Sequence, residues 1–134
     1  MSNRRYTLMT AADVSKRFHE LLRELELVGF TVELREEGGF AGRARPSTER
    51  GAVGVIVRGR ASESGLEAVV DILDPPTHHV PQAVCDKLAF KLAEVLARAL
   101  GAEVRVGSLG PLPGGALGEG ISRGEVVVRR VPCG

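Results

Sequence analysis

The amino-acid sequence predicts an α+β fold, a two-layer sandwich in which both helices cover one face of a mostly antiparallel five-stranded sheet. Two long segments repeat apolar residues with the period of a helix, and five short segments have the composition and alternation of strands. They follow one another in the order α-β-β-β-α-β-β, without an internal repeat. Because no linker divides the chain, residues 1–134 are expected to form a single domain.

The first helix is predicted to follow Thr10, which together with Asp13 resembles a capping box. Apolar residues then recur with helical spacing from Val14 to Val28, and Gly29 ends the pattern. Residues 1–9 carry no clear pattern, so the sequence leaves open a flexible N-terminal arm there.

Three strands are predicted next, over residues 30–34, 53–57 and 66–72, where apolar side chains recur at every second position. The short polar stretch 62–65 between the second and third strands indicates a hairpin. Since these strands are adjacent in sequence, they are expected to form an antiparallel meander. Strands four and five are predicted over 104–106 and 126–131, with strand four parallel to strand three after a right-handed crossover.

The second helix is predicted over residues 80–101, with Pro81 in its first turn and Gly101 at its end. Its apolar arc is wider than a single buried stripe requires. Either this helix is the more central one, or Phe90, Ala93 and Ala97 form the interface of a homodimer. The sequence does not choose between these two interpretations.

The composition excludes some classes of protein. The chain has 18 basic and 17 acidic residues, a net charge of +1, so it is not a generic polycation. Only 4% of its residues are aromatic, so platforms for base stacking are scarce. Most basic residues are Arg and amides are rare, which is compatible with a thermophile. Two distant cysteines and no long apolar run favour a cytoplasmic protein without a membrane segment.

The positive charge is concentrated in one stretch of the chain. Residues 41–60 sum to +4, within and after the long segment 38–50, and a second long loop is predicted over 108–123. In the predicted topology, the loops after strands one and four and the turn 74–80 meet at one end. Guanidinium groups at that end could form two hydrogen bonds each with phosphate oxygens. The candidate anion- or nucleic-acid-binding residues are Arg43, Arg45, Arg50, Arg58, Arg60, His78, His79 and Arg123. The alternative is a solvated loop without a ligand.

No pattern of catalytic or cofactor-binding residues is found. Asp71, Asp74, His78 and His79 are the only ligand-capable side chains close together in sequence, and their spacing matches no established metal site. The glycines of residues 114–120 lack the Gly-Lys-Ser/Thr of a phosphate loop and a following helix. We therefore predict no metal, no cofactor and no catalytic residue, and lean away from an enzyme.

The order helix, three strands, helix is shared with double-stranded-RNA-binding domains and with resolvase-like nucleases. The basic turn of the former is missing where residues 80–83 open the second helix, and residues 51–60 lack the carboxylate that the latter place on the second strand. The sequence therefore predicts a non-catalytic module that binds an anionic partner, with nucleic acid or a ribonucleoprotein favoured. The alternative is a homo-oligomeric protein–protein interaction or assembly subunit that uses helix 80–101 and the open sheet face.

Overall fold

The structure, a computed structural model, describes residues 3–11, 13–48, 51–75, 79–107 and 124–131. Two helices and nine strands follow one another along this part of the chain: β1 (Asn3–Thr10), α1 (Phe18–Leu27), β2 (Thr31–Leu34), β3 (Gly39–Ala44), β4 (Ser47–Thr48), β5 (Gly51–Ala52), β6 (Gly54–Ser62), β7 (Gly65–Leu73), α2 (Gln82–Leu100), β8 (Glu103–Val106) and β9 (Glu125–Val131). Short 3-10 turns at Ser15–Arg17 and Glu36–Gly38 precede α1 and β3.

Seven of the strands form one mixed sheet in the order β2-β3-β6-β7-β1-β9-β8, and β4 and β5 form a separate two-stranded ribbon. Neighbouring strands of the large sheet are antiparallel, except for β8 and β9, which are parallel. The predicted α+β class with two helices is confirmed. The prediction of five strands is wrong, because β1 and β3 join the sheet as additional strands.

The first additional strand, β1, lies inside the sheet. It pairs with β7 from Asn3↔Leu73 to Thr10↔Leu66 and with β9 on its other side. Asn3–Thr10 is therefore a strand where the sequence left open a flexible arm, and from Arg5 to Met9 it has partner strands on both sides. Thr10 ends β1, so the predicted capping box is wrong, and α1 starts only at Phe18.

The second additional strand, β3, lies where the sequence predicted a loop. It pairs with β2 on one side and with β6 on the other, so β2 and β6 are not neighbours. Gly39 and Gly42 dilute its apolar pattern, which is why alternation does not reveal it. Gly42 is needed for packing, because a Cβ there would lie 3.1 Å from Val57 Cγ1 and 3.3 Å from the Phe30 ring.

The β6–β7 hairpin and the direction of β8 agree with the sequence prediction. The hairpin of β6 and β7 is present and closes at Ser62↔Gly65. β8 runs in the same direction as β7, as expected for strand four, but β1 and β9 lie between these two strands. A local crossover rule cannot find this difference, because it depends on where β1 inserts.

Both helices pack on the same face of the sheet and share one hydrophobic core with it. The core includes Leu21 and Leu25 of α1, Leu92 and Leu96 of α2, and a large set of strand residues on the same face: Tyr6, Leu8, Phe40, Val55, Val57, Leu66, Ala68, Val70, Ile72, Val126 and Val128. Among the described residues, no helix is long and apolar enough to cross a membrane.

Helix α2 matches its prediction at both ends. Pro81 precedes its first residue, and Gly101 ends it in the left-handed conformation at φ 67°, with the Ala102 N–H donating to the Ala97 carbonyl at 2.8 Å. The homodimer face predicted on this helix is mostly buried within the chain itself. Ala93 and Ala97 are 0% and 3% exposed in the core, and only Phe90 reaches the surface, at 37%. The wide apolar arc therefore buries a central helix, and the two alanines are not available to a partner.

A tight contact between β3 and β6 gives a stability test. The Phe40 ring covers Gly59, its register partner, so a Cβ at Gly59 would lie 2.8 Å from Phe40 Cζ and 3.0 Å from the Glu67 carbonyl oxygen. Gly59→Ala is expected to lower the free energy of unfolding by about 1–3 kcal/mol through overpacking. Urea denaturation measures this change.

The matched control is Gly54→Ala on the same strand, where a Cβ would meet Leu73 at 3.5 Å or more, an ordinary contact. Its unfolding free energy should stay within about 0.5 kcal/mol of the wild type. Equal losses for the two variants would show that Phe40 does not constrain Gly59.

Candidate nucleic-acid interface

The end of the sheet to which each loop belongs is set by strand direction. β3 and β7 run in the same direction, so the chain leaves the sheet after Ala44 and after Leu73 at the same end. β2 runs in the opposite direction, and the turn after it, Glu36–Gly38, lies at the other end. The predicted meeting of three loops is therefore wrong for the loop after strand one, because β3 separates β2 from β6.

The predicted binding residues are divided by the sheet. Arg43 lies within β3 and Arg45 directly after it, while Arg58 and Arg60 lie on β6. Arg50, His78 and Arg123 lie outside the described residues.

The face of the sheet opposite the helices, the open face, collects several arginines. Register partners in antiparallel strands share a face. One such row across the sheet contains Arg43, Ile56, Asp71 and Arg5, contributed by β3, β6, β7 and β1. The next row contains Arg58, Val69, Thr7 and Arg129, contributed by β6, β7, β1 and β9.

Asp71 fixes two of these arginines. Its Oδ1 lies 2.7 Å from Arg5 Nε, and its Oδ2 lies 3.2 Å from Arg5 Nη2 and 3.3 Å from Arg58 Nη2. The Asp71 side chain is only 10% exposed, whereas those of Arg5 and Arg58 are 52% and 63% exposed. One buried carboxylate thus holds two guanidinium groups that still face solvent.

We call Arg5, Arg43, Arg58 and Arg129 the arginine patch. Between β3 and β9 these two rows contain four arginines and one carboxylate, Asp71, a local excess of three, while Glu33 of β2 continues the second row and pairs with Arg35 at 3.6 Å. Arg43 has an apolar register partner in Ile56, and Arg129 pairs with Thr7, so neither has a carboxylate directly opposite. A chain with a net charge of +1 therefore carries a clearly basic surface.

The rest of the open face is close to neutral or acidic. Arg60 has Glu67 as its register partner and lies 4.0 Å from Glu37. Further along the sheet, Arg105 Nε lies 2.6 Å from Glu125 Oε2. The basic surface is thus confined to the half of the face nearer the end where β3 and β7 finish, and Arg60 lies outside it.

No aromatic side chain lies on the open face. Tyr6 and Phe40 point into the core, Phe18 and Phe90 belong to the helices, and Phe30 packs beside Gly42. Contacts from this face are therefore ionic and hydrogen-bonding, without the stacking that binds unpaired bases.

Arg45 points to a different surface. Together with Lys91 it lines a groove of 380 Å³ on the helix side of the sheet, between the end of α1, β3 and α2. Leu88, Leu92 and Val95 form apolar walls of this groove. Arg45 and Arg43 are thus close in sequence but belong to opposite sides of the sheet.

His79 has partners on both ring nitrogens. Its Nδ1 lies 3.2 Å from Asp74 Oδ2, and its Nε2 lies 2.8 Å from Arg4 Nη2. Because a guanidinium only donates, Nε2 accepts that bond and Nδ1 carries the proton shared with Asp74. In this state the ring offers no free nitrogen to an anion or a metal ion. Over the part of the chain that the structure describes, no three His, Cys, Asp or Glu side chains are grouped as metal ligands.

A second polar network, which the sequence analysis did not find, joins the start of α2 to the sheet. The Tyr6 hydroxyl donates to Asp86 Oδ1 at 2.5 Å, the Gln82 amide donates to both, and Arg130 Nη2 lies 2.6 Å from Asp86 Oδ2. Burial raises the pKa of Asp86, but the hydrogen bonds from its three partners outweigh this and hold the pKa below its ordinary value. Burial and the bond to Asp86 raise the pKa of Tyr6.

The one cysteine in the described residues, Cys85, is fully buried in α2. Burial raises the pKa of its thiol, which keeps it protonated and weakly nucleophilic. It contributes to the core and not to the open face.

Arg5 and Arg129 are not among the candidate residues of the sequence analysis, although the alternation of their strands indicates which way they point. Tyr6 and Leu8 alternate with Arg5, Thr7 and Met9, so a strand with an inward aromatic implies an outward Arg5. The same alternation separates Arg129 from Arg130. The sequence does not identify the neighbouring strands, because nothing in residues 3–10 indicates that β7 and β9 flank them.

Comparison with known proteins finds no family model that matches this chain and no curated protein with significant sequence similarity.

We call the contacts of Asp71 with Arg5 and Arg58 the Asp71 clamp. Its contribution to the free energy of unfolding can be measured. Asp71→Ala leaves Arg5 and Arg58 side by side without their shared acceptor, and it is expected to lower the free energy of unfolding by about 2 kcal/mol. The control is Glu67→Ala, which removes an exposed carboxylate from the same face of the same strand. It should change stability by less than about 0.5 kcal/mol. A similar small effect for both variants in urea denaturation would contradict the clamp.

The Asp86 network predicts a pH dependence. The folded pKa of Asp86 lies below its unfolded value, so its stabilisation is present above that value and is lost as the pH falls through the folded pKa. Asp86→Asn is expected to lower the free energy of unfolding by about 1 kcal/mol at pH 7, with the partial exposure of the site taken into account. The difference from wild type should shrink as the pH falls below the ordinary aspartate pKa of about 3.9. A difference that stays constant over this range would show that the charge of Asp86 plays no part.

Proposed function

We propose that this protein is a non-catalytic binding module that contacts the phosphate backbone of nucleic acid through the arginine patch. The observation that carries this proposal is the Asp71 clamp, which presents Arg5 and Arg58 to solvent in fixed positions beside Arg43 and Arg129. Guanidinium groups held in place lose little entropy when they bind phosphate oxygens, and they bind them with two parallel hydrogen bonds.

The dimensions of the patch suit a nucleic-acid strand. β3 and β9 are four strand spacings apart in the sheet, so the patch extends over roughly 19 Å. A strand of a duplex carries about five phosphates over this distance. A single small phosphorylated ligand would use only part of such a row.

The chemistry of the open face favours backbone contacts over base readout. It offers guanidinium groups but no aromatic side chain for stacking, which supports binding with little dependence on base sequence. Duplexes fit this surface better than unpaired strands, because their phosphates are spaced regularly and more densely along the axis.

The alternative, a homo-oligomeric assembly subunit, keeps one supporting observation. Phe90 on α2 and Val106 on β8 are exposed apolar side chains that line the same groove. They lie away from the arginine patch, so self-association there is compatible with nucleic-acid binding.

The test is binding of the whole protein to a fluorescent DNA or RNA duplex of about 20 base pairs, followed by anisotropy over a salt series. Binding should weaken steeply with salt and be similar for unrelated sequences. Arg43→Ala and Arg129→Ala should each weaken it, and each should reduce the slope of log affinity against log salt by about 0.9.

The matched control is Arg98→Ala, which removes the same charge from an exposed position on α2, away from the open face. Its affinity and salt slope should remain those of the wild type. Undetectable binding at low salt would overturn the proposal, and so would equal losses for Arg98→Ala and Arg43→Ala, because bulk charge alone would then explain the binding.

A further inference from the structure

β8 is one edge of the large sheet. In the described residues it pairs only with β9, and its other side faces away from the sheet. An edge strand presents a row of backbone donors and acceptors to which another strand can add. Which residues of β8 supply that row follows from its bonds to β9.

Alternate amides of β8 point toward β9. The Glu103 N–H donates to the Gly124 carbonyl at 2.9 Å, and the Gly107 N–H donates to the Val128 carbonyl at 2.8 Å. Residues of a strand turn their amides to opposite sides in alternation. The N–H and C=O groups of Val104 and Val106, which lie between, are therefore directed outward.

The groove beside this edge has apolar walls and charged ones, the latter formed by Asp86, Lys87 and Arg130. Val106 is 57% exposed and Phe90 of α2 is 37% exposed, and both line a groove of 440 Å³ on the helix side of the sheet. Ala83 and Lys87 of α2 extend the same groove. The edge thus combines backbone groups that have no partner strand among the described residues with neighbouring apolar surface, as interfaces between subunits do.

We propose that the partner of this edge is a second copy of the chain, with β8 pairing antiparallel to β8 of the second copy around a two-fold axis. Such an interface is isologous, so each contact occurs twice. Paired residues must lie on the same face of the continued sheet, and their outward amides must meet. Registers centred on any residue of β8 satisfy both conditions, but only those with Val104 or Arg105 on the axis pair three residues of β8 in each copy; those centred on Glu103 or Val106 pair one.

Charge chooses between the two registers. With Val104 on the axis, Glu103 lies opposite Arg105 of the second copy, and Arg105 lies opposite Glu103 of the second copy. The interface then contains two opposite-charge cross-strand pairs. With Arg105 on the axis, two arginines lie directly opposite each other, which is unfavourable. The sequence of β8 is therefore self-complementary in one register.

The opposite edge of the sheet, β2, is less suited to this pairing. The Arg35 N–H donates to the Gly39 carbonyl at 2.8 Å, so Val32 and Leu34 carry the outward amides there. A register centred on Val32 pairs Thr31 with Glu33 and gains no opposite charge. A register centred on Leu34 would pair Glu33 with Arg35, but Arg35 lies beyond the last residue of β2 and the 3-10 turn Glu36–Gly38 follows directly, whereas Glu103 and Arg105 both lie within β8.

A two-fold axis perpendicular to the sheet keeps equivalent faces on the same side. The two α2 helices then lie on either side of the axis, with Phe90 of each copy beside the paired β8 strands. Both open faces, and with them the two arginine patches, lie on the other side of the continued sheet. The dimer does not depend on the proposed function, and its test needs no nucleic acid.

The experiment is sedimentation velocity of the full chain over a concentration series. The wild type should sediment as a reversible dimer. Glu103→Arg places arginines opposite each other and should give a monomer. Arg105→Glu combined with Glu125→Arg keeps an ion pair within each chain, places glutamates opposite each other, and should also give a monomer.

An equimolar mixture of these two variants is the decisive sample, because every cross-strand pair in the mixed dimer is again of opposite charge. The mixture should recover the dimer that neither variant forms alone. A control variant, Glu33→Arg on β2, should leave the wild-type dimer unchanged.

Val104→Pro tests the ladder independently of charge, since the Val104 N–H bonds no residue of its own sheet and an edge strand tolerates proline at such a position. This variant should be folded by circular dichroism and monomeric. A wild type that is monomeric at all concentrations would overturn the proposal. A dimer that survives both Val104→Pro and Glu103→Arg, or a mixture that remains monomeric, would also overturn it.

Discussion

The pairing of β1 with both β7 and β9 is the interaction on which the rest of this structure depends. It joins four strands from the first two thirds of the chain to the two strands that follow α2. It also places Arg5 beside Asp71 on one face and Tyr6 beside Asp86 on the other. Removing this strand would separate the sheet into two parts and remove a partner from each of the two polar networks. The fold and the candidate site therefore have a common origin in one segment.

The alternation of side chains along strands explains how a nearly neutral chain carries a basic surface. Neighbouring basic residues are sent to opposite faces: Arg5 joins the arginine patch while Arg4 contacts His79, and Arg129 joins the patch while Arg130 binds Asp86. Carboxylates are distributed in the same way, with Asp86 and Asp74 on the helix side and only Asp71 within the patch. Segment sums of charge along the chain cannot show this, because they add together residues that the sheet separates.

The sequence predicts best what depends on neighbours in the chain. Pro81 and Gly101 mark the ends of α2, and the polar stretch before Gly65 marks the hairpin of β6 and β7. It predicts poorly what depends on distant partners. β3 is hidden by its glycines, and the place of β1 depends on strands that lie far along the chain. The same limit applies to the site. The sequence identifies Arg43 and Arg58 as candidate residues, but only the strand order shows that they share a face. It also shows that Arg5 and Asp71 are their neighbours.

The central position of β1 also has a consequence for the way the chain is made. Thr7 pairs with Val69 on one side and with Arg129 on the other, so both partners leave the ribosome after it, and Arg129 follows only after all the other strands of this sheet. Until β9 has been made, at least one side of β1 has an unpaired backbone, which is the aggregation-prone state of an exposed edge strand. Contacts so distant in sequence slow folding, because long loops must close before they form. The sheet is thus expected to form completely only after β9 has been synthesised, so β1, which precedes its other strands in the chain, is among the last of them to be fully paired.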